Sequence, residues 1–211
     1  MEQFNFNILS FNTHSDKKKM AYKDYYQFKL LKQYSDIYLY KKQLSCILNF
    51  KNKQNDITLN SLFDKSDFKS IKKKYGKALY QVEHDHDKHL IKILFYKRII
   101  SDQKVKLEFH FCDDKLFYYS YTFPYLGEQE KNELIHSLCK KYNLESAHLY
   151  DECIIDSNQI AIRIKDQLDL TFKYLDTKSD FIDYIEKYNY KKSNKHSTKK
   201  SKSYFNLNNL F

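Results

Sequence analysis

Apolar and polar residues alternate most cleanly in two stretches of this chain. In VKLEFHF, Val105, Leu107, Phe109 and Phe111 share one side of an extended segment, while Lys106, Glu108 and His110 share the other. CDDK supplies a turn, and LFYYSYTF returns with Phe117, Tyr119, Tyr121 and Phe123 on one side, which predicts an antiparallel hairpin. QIAIRI aligns Ile160, Ile162 and Ile164, KDQ turns, and LDLTFKY returns with Leu168, Leu170, Phe172 and Tyr174. A second hairpin follows the plan of the first.

A helical pattern precedes each hairpin. SDFKSIKKKYG starts at Ser66 as a cap, aligns Phe68, Ile71 and Tyr75, and stops at Gly76, which suits a left-handed C-terminal cap. GEQEKNELIHSLCKKYN places Glu128 and Glu130 in its first turn and Lys140 and Lys141 in its last, as the helix dipole favours. Its apolar face is Leu134, Ile135, Leu138 and Tyr142, and Asn143 stands where the first helix has glycine. KSDFIDYIEKYN then repeats the start of residues 65–68 at residues 178–181 and predicts a third helix.

These elements predict an α+β fold of tandem α-β-meander repeats, an antiparallel sheet with helices packed on one face. The units are residues 61–126 and 127–176, followed by a helix over 177–189 and a basic linker with an apolar tail over 190–211. Residues 1–60 read less clearly. FNFNI alternates like a strand, MAYKDYYQFKLLKQY aligns Tyr22, Tyr26 and Leu30 as a helix, and DIYLY and LSCILNF look extended.

Composition narrows the function. The chain has 211 residues, 42% hydrophobic and 17% aromatic, which suits a packed globular protein. Its first residues lack a basic leader and a small-residue cleavage motif, and no apolar run reaches membrane-spanning length, so a cytoplasmic, soluble protein is expected. Cys46, Cys112, Cys139 and Cys153 show no paired spacing, which favours reduced thiols. With only Gly76 and Gly127, the chain has neither glycine-rich phosphate loop and no nucleophile elbow. No catalytic residue and no cofactor are expected.

The net charge of +10 points to an acidic partner or nucleic acid, but Arg98 and Arg163 are the two arginines among 37 basic residues. Bidentate reading of phosphate and guanine depends on arginine, so sequence-specific recognition is disfavoured. Lys191, Lys192, Lys195, Lys199, Lys200 and Lys202 crowd into KKSNKHSTKKSK, a solvated linker that leaves non-specific nucleic-acid binding open. The peptide after it carries Tyr204, Leu207 and Leu210 at helical spacing beside Phe205, and is expected to dock as a tethered motif.

One polar run raises metal chemistry. VEHDHDKH holds His84, His86 and His89 and approaches the H-x-H-x-D-H pattern of metallo-hydrolases, but Lys88 stands where a carboxylate should serve a second metal. A polar turn leading into Leu90–Ile100 is the favoured reading, with the three histidines kept as metal candidates.

The tandem helix-then-meander plan and the K-x-Y-G helix end resemble, over residues 64–176, the β-lactamase inhibitor protein and the small outer-membrane assembly lipoproteins that share its unit. The resemblance implies a sheet whose open face grips another protein, with no catalytic residue to carry over. If Phe117, Tyr119, Tyr121 and Phe123 face the helices, Tyr118, Ser120 and Thr122 face outward as a partner surface. The expected function is a non-enzymatic, intracellular protein-binding module of inhibitor, immunity or adaptor type. Phe205, Leu207 and Leu210 add a second contact, and a lysine- and tyrosine-based nucleic-acid binder is the alternative.

Overall fold

The molecule is organised by one eight-stranded sheet in the order β1-β6-β7-β8-β5-β4-β3-β2. In chain order the strands are β1 Asn52–Gln54, β2 Tyr80–His86, β3 His89–Ile100, β4 Gln103–Cys112, β5 Lys115–Phe123, β6 Cys153–Ile155, β7 Ile160–Asp166 and β8 Leu170–Asp176. The helices are α1 Ile37–Leu48, α2 Phe68–Tyr75, α3 Glu128–Tyr142 and α4 Asp180–Lys187. The computed structural model describes residues 29, 30, 32–48, 52–54, 59, 62, 63, 66–100, 102–144 and 153–187. The strand predicted at FNFNI and everything after residue 187, including Phe205, Leu207, Leu210 and the lysine cluster, lie outside the described residues.

The fold is α+β, and its pairing is antiparallel except where β1 meets β6 in parallel. Both expected hairpins form. Asp113 and Asp114 turn β4 into β5 with φ of 49° and 70°, the left-handed pair that a two-residue hairpin loop of primed type requires. The two meanders join edge to edge where β5 pairs with β8, from Tyr118↔Leu175 to Phe123↔Leu170. They differ in size: β2 to β5 is a four-strand meander and β6 to β8 a three-strand one.

Local chemistry sets the helix ends. Asp67, one residue after the expected Ser66, caps α2: its carboxylate accepts from the Ser70 amide at 2.7 Å while Ser70 Oγ accepts from the Asp67 amide at 2.9 Å. Asn143 closes α3 in the left-handed conformation, at φ 52° and ψ 47°, while Gly76 closes α2 at φ 71° and ψ −148°, a different positive-φ conformation that glycine also permits.

Four expectations need correction. DIYLY and the start of LSCILNF, read as extended, belong to one helix, α1, because Asp36 accepts from the amides of Tyr38 and Leu39 at 2.7 and 3.0 Å and so starts it. Tyr40, Leu44 and Ile47 then share its buried side. Second, the helices are not confined to one face. α2 and α3 cover a cluster that includes Leu94, Tyr96, Leu107, Phe109, Phe172 and Tyr174. α1, Leu30, Tyr34 and α4 cover the opposite cluster of Ile91, Ile93, Phe95, Phe117, Tyr118 and Leu175. The helix at 180–187 therefore does not repeat the placement of α2, although its sequence opens the same way. Third, Phe117 changes sides. Phe111 pairs with Leu116 but His110 with Tyr118, so Phe117 is a bulge residue turned toward α4. Leu168, expected inside, sits in the β7–β8 turn at 82% exposure.

A buried carboxylate ties the second meander to the segment before α2. Asp156 accepts from the amides of Leu59 at 2.9 Å, Asn158 at 2.9 Å and Ile160 at 2.7 Å. The buried amides of Leu59 and Ile160, which would otherwise lack a partner, are thereby satisfied.

Candidate functional site: a graded sheet face

The face under α1 and α4 changes character along the strands. Sheet register aligns Ile93, His110, Tyr118, Leu175 and Ala161 in one transverse row. Two residues further along lie Phe95, Glu108, Ser120, Lys173 and Arg163, and two further still Lys97, Lys106, Thr122, Thr171 and Lys165. The face thus passes from an apolar core to a basic strip within about 13 Å, four residues of strand rise. The helices cover the first row, while Lys97 and Lys165 are exposed and Lys106, Thr122 and Thr171 half-buried.

A hydrogen-bonded chain occupies the boundary. Tyr34 donates its hydroxyl to Glu108 Oε1, His110 Nε2 lies 2.6 Å from the same oxygen, and Tyr40 Oη bonds His110 Nδ1. An ionised carboxylate only accepts, so Nε2 of His110 carries the proton and Nδ1 accepts from Tyr40. Burial pushes the Glu108 carboxyl up, but the hydrogen bonds from His110 and Tyr34 and the charge of Lys173 outweigh it and hold the carboxyl below its ordinary range. Burial raises both tyrosines well above theirs, with the charge of Glu108 adding to it. The rings pack edge-on, with Tyr34 5.0 Å and Tyr118 4.7 Å from His110.

Where the residues around Tyr34 stop short of the basic strip, a cleft of 240 Å³ opens. Tyr34, Tyr80, Lys97, Lys106, Glu108 and Thr122 are among its lining residues, and Lys106 pairs with Asp169 at 3.3 Å. Glu108, ionised and already engaged, is a poor proton donor at neutral pH. The cleft therefore offers fixed charge and hydroxyls for recognition. A larger hollow of 410 Å³ beside the end of α3, lined by His136, Cys139, Lys140, Asn143 and Leu144, adjoins residues outside the described set. It lacks the converging charges of the cleft, and we place the site at the graded face.

The expected surface residues are largely inside. Tyr118 is 7% and Ser120 3% exposed, because α1 and Tyr34 cover the face that the sequence reading left open. Thr122 stays half-buried and lines the cleft with Ser120. The histidines do share one face, since His86 pairs opposite His89 and His84 opposite Ile91. They do not converge on one point. His86 Nε2 approaches the Tyr34 carbonyl at 3.3 Å, and burial lowers the pKa of both His84 and His86. His89 instead meets Cys112 and Asp113. Burial, with the Asp113 and Asp180 carboxylates, pushes the Cys112 thiol up to about 12, which leaves it protonated and weakly nucleophilic.

Sequence reasoning missed Lys97, Lys165 and the Tyr34–Glu108–His110–Tyr40 chain. Alternation did place Lys106, Glu108 and His110 together. Which part of that side is covered depends on Leu30, Tyr34 and α1, and the helical character of α1 was hidden by the run of tyrosine, isoleucine and leucine.

Compared with known proteins, the chain matches no family, no curated protein and no solved structure. Among the described residues, no helix is long and apolar enough to cross a membrane.

Proposed function

We propose that this protein is a non-enzymatic binding module, of inhibitor, immunity or adaptor type, that receives an acidic surface of a partner protein on its basic strip. The observation that carries this reading is the grade itself: the sheet face is packed at one end and presents Lys97, Lys106 and Lys165 with Thr122 and Thr171 at the other. Complementary charge steers encounter and fixes register, and the adjoining cleft accepts a protruding side chain. Among the described residues, Cys112, Cys139 and Cys153 are buried and in no disulfide, which supports a reducing, cytoplasmic setting. The tail residues Phe205, Leu207 and Leu210 extend the contact by docking on the same partner.

The test compares the wild-type chain with Lys97→Glu/Lys106→Glu/Lys165→Glu in pull-downs from source-cell lysate, followed by titration of the captured protein. Stoichiometric capture of an acidic protein by the wild type, lost by the triple variant at unchanged melting temperature, is the expected result. Equal capture by both chains would overturn the reading. Retention of single-stranded nucleic acid by the wild type, with steep salt dependence and no protein partner, would replace it with the nucleic-acid alternative.

A further inference from the structure

We propose that His89, Cys112 and Asp113 form a binding site for a borderline divalent transition-metal cation, zinc above all. Their donor atoms make a small triangle: Nδ1 to Oδ2 is 3.0 Å, Sγ to Nδ1 3.4 Å and Sγ to Oδ2 3.5 Å. A tetrahedral ion with metal–sulfur bonds of about 2.3 Å and metal–nitrogen or metal–oxygen bonds of about 2.0 Å needs ligand edges of roughly 3.3–3.6 Å. Shifts of a few tenths of an ångström close the triangle around such an ion.

The sheet builds this arrangement from residues that no linear motif connects. His89 opens β3, Cys112 closes β4 and lies opposite Ile91, and Asp113 begins the turn into β5. Two of the ligands are also held from behind. Asp113 Oδ1 accepts from the Leu90 amide at 3.0 Å, and the Asp113 amide donates to the Leu90 carbonyl at 3.0 Å. The His89 ring packs against Phe181 at 6.1 Å and Tyr184 at 5.3 Å. Partners of this kind orient metal ligands and sustain affinity.

Donor chemistry selects the ion. Thiolate with imidazole suits zinc and its neighbours, whereas magnesium and calcium prefer all-oxygen sets. His89 and Cys112 are buried and Asp113 lies at the surface, so the ion has a route in and its fourth position faces water. Asp180, at the start of α4, adds negative charge beside the sulfur. On binding, Cys112 loses its proton to solvent and His89 presents Nδ1 to the ion with a proton on Nε2, and thiolate and carboxylate neutralise the dication.

The experiment uses the full chain without a histidine tag, stripped by chelator under a non-thiol reductant and then loaded with zinc or cobalt(II). The wild type is expected to retain one zinc per chain, to gain melting temperature with zinc, and to show a thiolate-to-cobalt charge-transfer band. Cys112→Ser and Asp113→Asn should each weaken zinc binding by about ten-fold or more and abolish the zinc-dependent shift. His84→Ala should keep both. Asp113→Asn alters an exposed turn, so it keeps the test open if Cys112→Ser fails to fold. Zinc binding far below one ion per chain, or equal affinity in wild type and Asp113→Asn, would overturn the site and leave the triangle a plain hydrogen-bonded cluster.

Discussion

The two faces of the sheet solve different problems with the same strands. Under α2 and α3, successive inward positions of β4 are Val105, Leu107, Phe109 and Phe111, apolar from end to end. On the opposite side the same strand offers Lys106, Glu108, His110 and Cys112, polar at one end and buried at the other. The first face gains from uniform burial and aromatic packing, such as the stacked pair Tyr119 and Tyr174 at 4.4 Å. The second gives up burial to carry a hydrogen-bonded chain and a basic rim. Uniformity marks a face that only holds the fold together, and a grade marks where covering stops and recognition starts.

The comparison is broken hardest on the uniform face. Phe109→Ala removes a fully buried ring and should cost about 3–5 kcal/mol in urea unfolding, whereas Thr122→Ala at the rim should leave the midpoint nearly unchanged. Glu108→Ala comes next. It strands the Tyr34 hydroxyl and the His110 N–H, and a loss of roughly 2–3 kcal/mol is expected. Glu108→Gln should lose less, because the amide oxygen still accepts.

The pH dependence separates the faces more gently. Burial depresses His84 and His86 in the folded chain, although the Tyr34 carbonyl partly offsets this at His86. The unfolded imidazoles, at about 6.5, take up protons first. Their contribution to stability is therefore fully present above about pH 6.5 and is lost as pH falls from there through the lower folded values. His84→Gln/His86→Gln should flatten the urea midpoint over that interval. Tyr34 and Tyr40 have the opposite sign: their raised values keep a contribution below about pH 10 that is lost as pH rises toward the folded values. Smallest in stability but decisive for function, Lys97→Glu and Lys165→Glu should leave the unfolding midpoint unchanged within error while weakening partner binding in titration.

Much of the strand architecture could be read in advance because a period of two, bounded by turns, has one physical solution on a half-buried sheet. The Asp113-Asp114 turn falls where expected, whereas β7 runs through Lys165 and Asp166 and turns at Gln167, Leu168 and Asp169. The helix stops at Gly76 and Asn143 were equally readable from the positive φ they require. α1 was not, since Ile37-Tyr38-Leu39-Tyr40 has the composition of a strand and its Asp36 cap is a single residue. That error decided the fate of Tyr118 and Ser120. The bulge at Phe117 left no local signal either, because LFYYSYTF fits both registers until pairing with β4 fixes one. The triangle of His89, Cys112 and Asp113 joins β3 to the end of β4, a proximity that only the register creates.

The β5–β8 junction carries a consequence for how the chain reaches this state. From Leu116 to Phe123, β5 has no charged residue, and its pairing partner lies beyond α3 in sequence. Until Leu170–Asp176 arrives, the growing first meander presents an uncharged, aromatic, unpaired edge, the kind of strand that recruits other chains. The native sheet hides it at its centre, with charges such as Glu83 and Asp85 on the outermost strand β2. Newly made chains are thus exposed to self-association for as long as the ribosome needs to deliver the second meander. A chain ending near residue 126 should aggregate in refolding light scattering, and Ser120→Lys in that fragment should suppress it.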